Sequence, residues 1–361
     1  MQADIDVTSE ERNEAVRRLD PLRLDEDLRS LAKMNEAADV AALARVLGEA
    51  LPCEDIVSAF TVPECLAAMR DLGMYLGSLK RHGVSAFEAV PGATRCFQLL
   101  GLRTRMIPRD TVYHYTCWNP EGDRERLYSG QQMERSLIGA VRRCIPDLAH
   151  AVAVGRSLQD DGDPYGPAHA EKLLCLAAHV TAADRAMGDV MANVTPEFFA
   201  LELRPFFEDV HIAGRRYMGP AAAHIPLFLI DLLLWASDRG SPEYLDFCHE
   251  VALHTLPDWQ ERYAEWARMP SLTSRIAEAL CGPCAQSGPD PLESGARGLR
   301  QALRSLTAFR GKHLVMARRA YHEEVRLYEL GSGGGSVGLL EDILTLTREN
   351  GALIGSAMAP R

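Results

Sequence analysis

The feature that most constrains this chain is the length of its helical repeats. Over residues 26–51, 131–153, 168–191 and 299–330, apolar side chains recur at steps of three and four, the spacing that lines one face of an α-helix. Helices of that length bury their stripes against one another, so the pattern predicts an all-α bundle. Strand signals are short by comparison. Residues 105–107 and 112–115 are the best candidates and suffice for a small ribbon. Breakers punctuate the helices at Pro91 and Gly92 and over 120–123, 160–167, 240–242 and 281–298. No long internal repeat is visible, which argues against a solenoid. The polar turn NPEGDR at 119–124 is the weakest seam. It divides the chain into a smaller, mostly helical N-terminal domain, 1–122, and a helical domain, 123–361, expected to carry the active site.

Composition removes several function classes. With 39 basic against 50 acidic side chains, the surface repels phosphate on average, and nucleic acid is not expected as a partner. The cysteines are nine, an odd number scattered along the chain, and read as thiols of a reducing cytoplasm rather than a disulfide scaffold. The start, MQADIDVTSEERNEAVRRLD, lacks the apolar stretch of a secretory signal. The longest apolar run, IPLFLIDLLLWA at 225–236, is too short to span a bilayer and carries Asp231 in its middle, so it reads as a buried core helix. The expectation is a cytoplasmic protein without a membrane partner.

Three motifs fail on context. Cys281-Gly-Pro-Cys284 spells a redox pair, but a helical pattern precedes it and a loop follows, the reverse of the thioredoxin setting. It also lacks the second ligand pair of a zinc ribbon. Residues 333–338 (GGGSVG) fit the dinucleotide fingerprint formally, yet too few residues follow Gly338 for a second strand with its ribose-binding acid. His249 and His254 stand five apart, which on a helix turns the two imidazoles roughly 140° from each other. They do not share a metal in that arrangement.

What remains is a single histidine. Leu299, Leu306, His313 and Ala320 recur every seven residues, and Leu303 and Ala317 complete the stripe, so His313 is expected to face inward. The commonest fate of such a residue is a satisfied core histidine. Here Gly311 and Ala317 leave space beside the ring, and Arg310 sits one turn before it. A neutral imidazole in an apolar helical pocket with a guanidinium nearby is what a haem iron and its propionate need. Arg300, Arg304, Lys312, Arg318 and Arg319 read as a solvated face.

Residues 303–321 (LRSLTAFRGKHLVMARRAY) followed by 331–343 (GSGGGSVGLLEDI) resemble the proximal helix and glycine-rich loop of the indoleamine and tryptophan 2,3-dioxygenases. That superfamily carries Arg-x-x-His on a long helix, then Gly-Thr-Gly-Gly-Thr, then a Leu-containing helix. Supporting similarity lies in Phe198-Phe199 with Leu203-Arg204-Pro205, in 217–235 and in 244–271, so the likeness runs roughly from Cys117 to the C-terminus. Within the superfamily it is nearest to the monodechloroaminopyrrolnitrin synthases of pyrrolnitrin biosynthesis.

The resemblance implies an indoleamine 2,3-dioxygenase-like, haem-binding helical bundle with haem b as cofactor. It makes His313 the proximal iron ligand and Arg310 the partner of a propionate. Ser332 stands where the superfamily's loop threonine hydrogen-bonds the amino acid moiety. Tyr321, eight residues beyond His313 and so roughly 12 Å further along one continuous helix, is expected to meet a substrate held by that loop. Arg204 resembles the arginine that grips the substrate carboxylate, and Phe199 is a candidate wall for the indole. At 218–224 (MGPAAAH) the chain departs from the dioxygenases' Gly-Gly-Ser-Ala-Gly-Gln-Ser. The implied reaction is oxidative rearrangement and decarboxylation of 7-chloro-L-tryptophan to monodechloroaminopyrrolnitrin, with tryptophan or 7-chlorotryptophan and oxygen as substrates and an electron donor required. Two alternatives stay open: tryptophan 2,3-dioxygenation to N-formylkynurenine, and non-catalytic haem binding. Indole is electron-rich at C2 and C3, so neither a Ser-His-Asp set nor paired carboxylates are needed.

Overall fold

The computed structural model describes residues 5–160, 162–282, 291–320, 331 and 333–359. Among the described residues five long helices form: α1 (Val62–Arg81), α2 (Gln132–Asp160), α3 (Pro167–Asn193), α4 (Pro291–Ala320) and α5 (Val337–Ala357); α2 and α3 cover the repeats at 131–153 and 168–191, and α4 starts eight residues before the repeat at 299, inside the stretch read as a breaker. Their starts are locally encoded. Thr61 and Glu64 close a capping box on α1, and the Ser336 hydroxyl accepts the Leu339 N–H at the head of α5.

Four of these helices pack as a bundle whose directions follow from their contacts. Arg143 pairs with Asp189 while Lys172 donates to the Ser157 carbonyl, so α2 and α3 run antiparallel. Arg318 meets Glu341 and Arg310 meets Thr347, which makes α4 and α5 antiparallel as well. Between α3 and α4 the order is parallel, because Gly298 lies on Leu173 and Lys312 on Asp184. Parallel neighbours need a long connection, and residues 194–290 supply it.

The 26–51 repeat is broken into Asp25–Arg29, Leu31–Glu36 and Val40–Ala50. Ala38 turns into the left-handed region at φ 49°, and Asp39 caps the last piece through the Ala42 N–H. The ribbon also differs from expectation. Residues 112–115 form a helical turn, because Thr111 and His114 cap each other and the whole stretch is buried. The strands are instead β1 (Val210–Ile212) and β2 (Arg215–Tyr217), antiparallel, with Ala213 and Gly214 both at positive φ as a tight two-residue hairpin demands.

Two apolar cores result. One fills the bundle with Leu229, Leu233, Trp235 and Trp266 among its members, and the other sits around Leu72, Tyr75, Phe97, Tyr128 and Phe206. Both draw on residues either side of the turn at 119–124: Tyr113 and Trp118 belong to the first, Tyr128 and Ile138 to the second. Helix α1 runs between them and carries a buried ionic node, in which Asp71 accepts from Arg70 and Arg126. No helix among the described residues is long and apolar enough to cross a membrane.

The parallel α3–α4 contact rests on small residues. A Cβ at Gly298 would stand 3.0 Å from the Leu173 carbonyl carbon and the Leu174 nitrogen, which are backbone and do not yield. At Gly295 the nearest atom is the Leu173 Cδ1, at 3.1 Å, which can rotate away. Gly298→Ala is therefore expected to destabilise the fold by about 1–3 kcal/mol and Gly295→Ala by less. Urea denaturation of the two variants checks this, and equal losses would contradict the close-approach argument.

Candidate functional site

On α4 the buried stripe consists of Leu299, Leu303, Leu306, Arg310, Leu314, Ala317 and Ala320. His313 lies within the same angular sector, yet it stays half-buried while Leu299, Leu303, Leu306, Ala317 and Ala320 are covered. Its ring stacks on Phe309 with centroids 5.7 Å apart. No hydrogen bond to either ring nitrogen is found among the described residues. Burial, aided by the Arg310 charge, pulls its pKa down to about 4, so the imidazole is neutral at pH 7. Nothing lies within 4 Å of the place a Cβ would occupy at Gly311. A neutral, accessible imidazole with an uncommitted nitrogen is the donor that a haem iron takes as an axial ligand.

Arg310 is placed differently from expectation. Its guanidinium points into the bundle, donating to Asp231 and to the Thr347 hydroxyl, and its carbon sits 5.9 Å from the centre of the Trp235 ring. Asp231 is 1% exposed and fully engaged, accepting also from the Tyr244 hydroxyl and, at 3.1 Å, from the Trp235 indole N–H. Burial and the Asp231 charge hold the Tyr244 phenol well above its usual pKa, so it stays a donor. The acid comes from the broken helix of residues 227–239, whose middle, Leu232–Ala236, is a π-helical turn. Wide turns of this kind are frequent at functional sites. Sequence reasoning used Asp231 only to exclude a membrane span. The missed signal was the lone charge itself, since a carboxylate inside an apolar run requires a buried cation somewhere in the chain.

The glycine-rich loop is seated on the segment that departs from the dioxygenases. A Cβ at Gly333 would collide with the Ala223 methyl, one at Gly334 would stand 3.4 Å from the Met218 sulfur, and one at Gly335 3.5 Å from the Phe247 ring. The alanines of MGPAAAH thus make room for the loop. Ser332 and Tyr321 lie outside the described residues. Phe199 belongs to a π-helical turn, Phe198–Leu203, and packs on the second core. Arg204 opens the next turn, is 7% exposed and donates to the Phe207 carbonyl at 3.3 Å.

The rejected motifs part company in space. His249 is exposed beside Tyr263, whereas His254 is buried against His224. Cys281 ends an exposed helix terminus, and Cys284 lies outside the described residues. Among the described residues no three His, Cys, Asp or Glu side chains converge on a metal-sized gap. A haem needs only one protein ligand, so this does not bear on His313.

Two outcomes follow from these environments. Arg310→Ala leaves the Asp231 carboxylate buried without its cation, and is expected to cost about 3–5 kcal/mol in denaturant unfolding, with part returned by adding Asp231→Ala. No loss in the single variant would mean that the pair is not holding α4. The second outcome concerns pH. Burial holds His114 at about 3, His254 at about 4 and His224 well below its ordinary value, whereas unfolded histidines titrate at about 6.5. Below that value the unfolded chain takes up protons that the folded chain refuses. Stability should fall from pH 7 toward about pH 4.5, by up to about 1.4 kcal/mol per pH unit for each group. A flat unfolding temperature over that range would contradict the assignment of neutral buried rings.

The sequence model of the family described as monodechloroaminopyrrolnitrin synthase PrnB matches residues 13–359. The match takes in the N-terminal third, where the resemblance read from motifs was only general. It therefore spans both apolar cores, the 218–224 segment, the glycine-rich loop and the helix that carries His313. The chain belongs to the monodechloroaminopyrrolnitrin synthase family and is an enzyme of the pyrrolnitrin pathway.

Proposed function

We propose that this enzyme converts 7-chloro-L-tryptophan to monodechloroaminopyrrolnitrin by oxidative rearrangement of the indole and loss of the carboxylate, with haem b held by His313. The observation that carries the reading is the state of His313: neutral at pH 7, accessible within an otherwise buried stripe, and free of hydrogen bonds among the described residues. When bound, haem supplies activated oxygen to the electron-rich indole ring, with electrons from a donor.

The remaining tasks fall to the chain. Arg310 supports His313 from within, by fixing α4 against Asp231 on one side and Thr347 on the other. Ser332 and Tyr321 are assigned the amino acid moiety. Support for this comes from the loop that contains Ser332, whose neighbour Gly333 lies against Ala223 and brings the 218–224 segment to the same place. Phe199 is the candidate wall for the ring, and Arg204 a candidate for the carboxylate. Holding substrate in one orientation lowers the barrier without any proton being stripped from carbon. A reducing cytoplasm suits the eight free cysteines among the described residues.

The absorption spectrum of the purified protein tests the cofactor. A Soret band is expected in the natural chain, and its loss in His313→Ala with the far-ultraviolet helical signal retained. Tyr321→Phe and Ser332→Ala should keep the band and lose about 1–3 kcal/mol each of substrate binding or transition-state stabilisation. Full haem content with an unchanged band in His313→Ala would overturn the ligand assignment. A product with the mass of substrate plus two oxygen atoms would assign ring opening in place of rearrangement.

A further inference from the structure

The outward face of α4 carries uncompensated positive charge. Arg300, Arg304 and Arg319 form no ion pair or hydrogen bond among the described residues, and neither does Arg348 of α5. The acids at the two ends of this face are already taken, Glu293 by Arg297 at 3.4 Å and Glu341 by Arg318 at 2.6 Å. Arg300 and Arg304 stand four apart on one helix, where like charges repel and cost stability.

The four arginines line one surface. At about 100° per residue, Arg300, Arg304, Ala308, Gly311, Val315 and Arg319 fall within a sector of roughly 100° and span about 28 Å of helix. Alongside, Arg310 against Thr347 and Arg318 against Glu341 set the register of α5. A Cβ at Gly355 would stand 3.3 Å from the Arg300 guanidinium carbon, so that flank of α5 faces the strip. Arg348 lies on the same flank, roughly 20° round the helix from Gly355 and about two turns before it, whereas Glu349 is turned about 100° further, away from α4. The middle of the strip is small or apolar: nothing lies within 4 Å of a Cβ at Gly311, and Val315 is 41% exposed. A basic rim around such a centre, on a chain whose formal net charge is -11, is a surface for a negatively charged protein. One small anion cannot engage four guanidiniums spread over that length, and a long nucleic acid meets the acidic remainder of the chain.

His313 indicates what kind of protein. It stands on the same helix, level with Gly311 and Val315, and roughly 170° round from the middle of the strip. A protein seated there is separated from the His313 side by the thickness of α4, about 10 Å. Substrate cannot cross a packed helix, but an electron can.

We propose that the strip of Arg300, Arg304, Arg319 and Arg348 docks an acidic one-electron carrier protein that reduces the haem iron held by His313. The inference rests on the haem reading and names the donor which that reading requires. Each encounter passes one electron: the carrier is oxidised by one unit and ferric iron becomes ferrous.

The test mixes the haem-loaded protein with reduced plant-type ferredoxin, an acidic iron–sulfur carrier, in an oxygen-free stopped-flow cell. The Soret band should move from its ferric to its ferrous position, at a rate that falls about tenfold or more between about 50 and about 500 mM salt. The triple variant Arg300→Glu, Arg304→Glu, Arg348→Glu should lower the low-salt rate by about tenfold or more. Its ferric Soret band, its unfolding temperature and its reduction by dithionite, which needs no docking, should be unchanged. Lysine at the same three positions should keep most of the rate. A Glu variant reduced as fast as the natural chain, or a rate indifferent to salt, would overturn the proposal. So would a Glu variant that loses reduction by dithionite to the same extent, because the defect then lies at the haem. Binding of a DNA duplex or of anionic lipid vesicles in calorimetry, with no ferredoxin bound, would assign the strip to another class of partner and overturn it too. If the purified protein takes up no haem, the haem reading falls and this inference with it. If haem is held and dithionite reduces it but ferredoxin does not, this inference falls alone.

Discussion

The structure turns on one ion pair, Arg310 with Asp231. It lies where three elements meet: α4 contributes the guanidinium, the broken helix of residues 227–239 the carboxylate, and α5 the Thr347 hydroxyl. A pair buried this deeply contributes little net stability compared with an apolar contact, but each partner is ruinous without the other. Its effect is therefore on register. The carboxylate has further donors in Tyr244 and Trp235, so its position is overdetermined, and the rotation of α4 about its axis follows. His313, three residues on from Arg310, inherits that rotation.

Small residues also set how closely the glycine-rich loop seats on the 218–224 segment. Gly333 approaches Ala223 too closely for any side chain between them, and Met218 is pinned by the His254 nitrogen. The segment at which the sequence departs from the dioxygenase motif is thus also the one the loop rests on. Replacing hydroxyl and amide groups with alanines there removes local hydrogen-bonding capacity and permits close contact. It leaves His224 as a described, buried side chain of that segment with hydrogen-bonding capacity to spare.

Legibility in the sequence depended on how local each cause was. Helices α2 and α3 fall where the three-and-four spacing put them, because burial of a stripe repeats every turn, whereas α4 begins at Pro291, inside the stretch read as a breaker. The 26–51 repeat failed as one helix because Ala38 and Asp39 end it, and a left-handed alanine leaves no mark in an apolar pattern. The 112–115 stretch looked like a strand by composition and became a helical turn, since mutual capping by Thr111 and His114 outweighed the preference of valine and tyrosine. The ribbon at 210–217 was missed because three-residue strands are too short for an alternation to register.

By itself the sequence determined the helical architecture, the stripe on which His313 lies and the glycine-rich loop beyond it, since these rest on spacings within a few turns of chain. The tertiary structure decided which member of that stripe is committed and which stays available. Arg310 finds Asp231 at a distance of 79 residues in sequence and Thr347 at 37, and no periodicity reports partners that far apart. The stacking of His224 on His254 is likewise a meeting of two loops, one before the broken helix and one after it. Spacing announces a helix because each turn repeats the last, whereas a site is assembled from side chains whose only common cause is the packed fold.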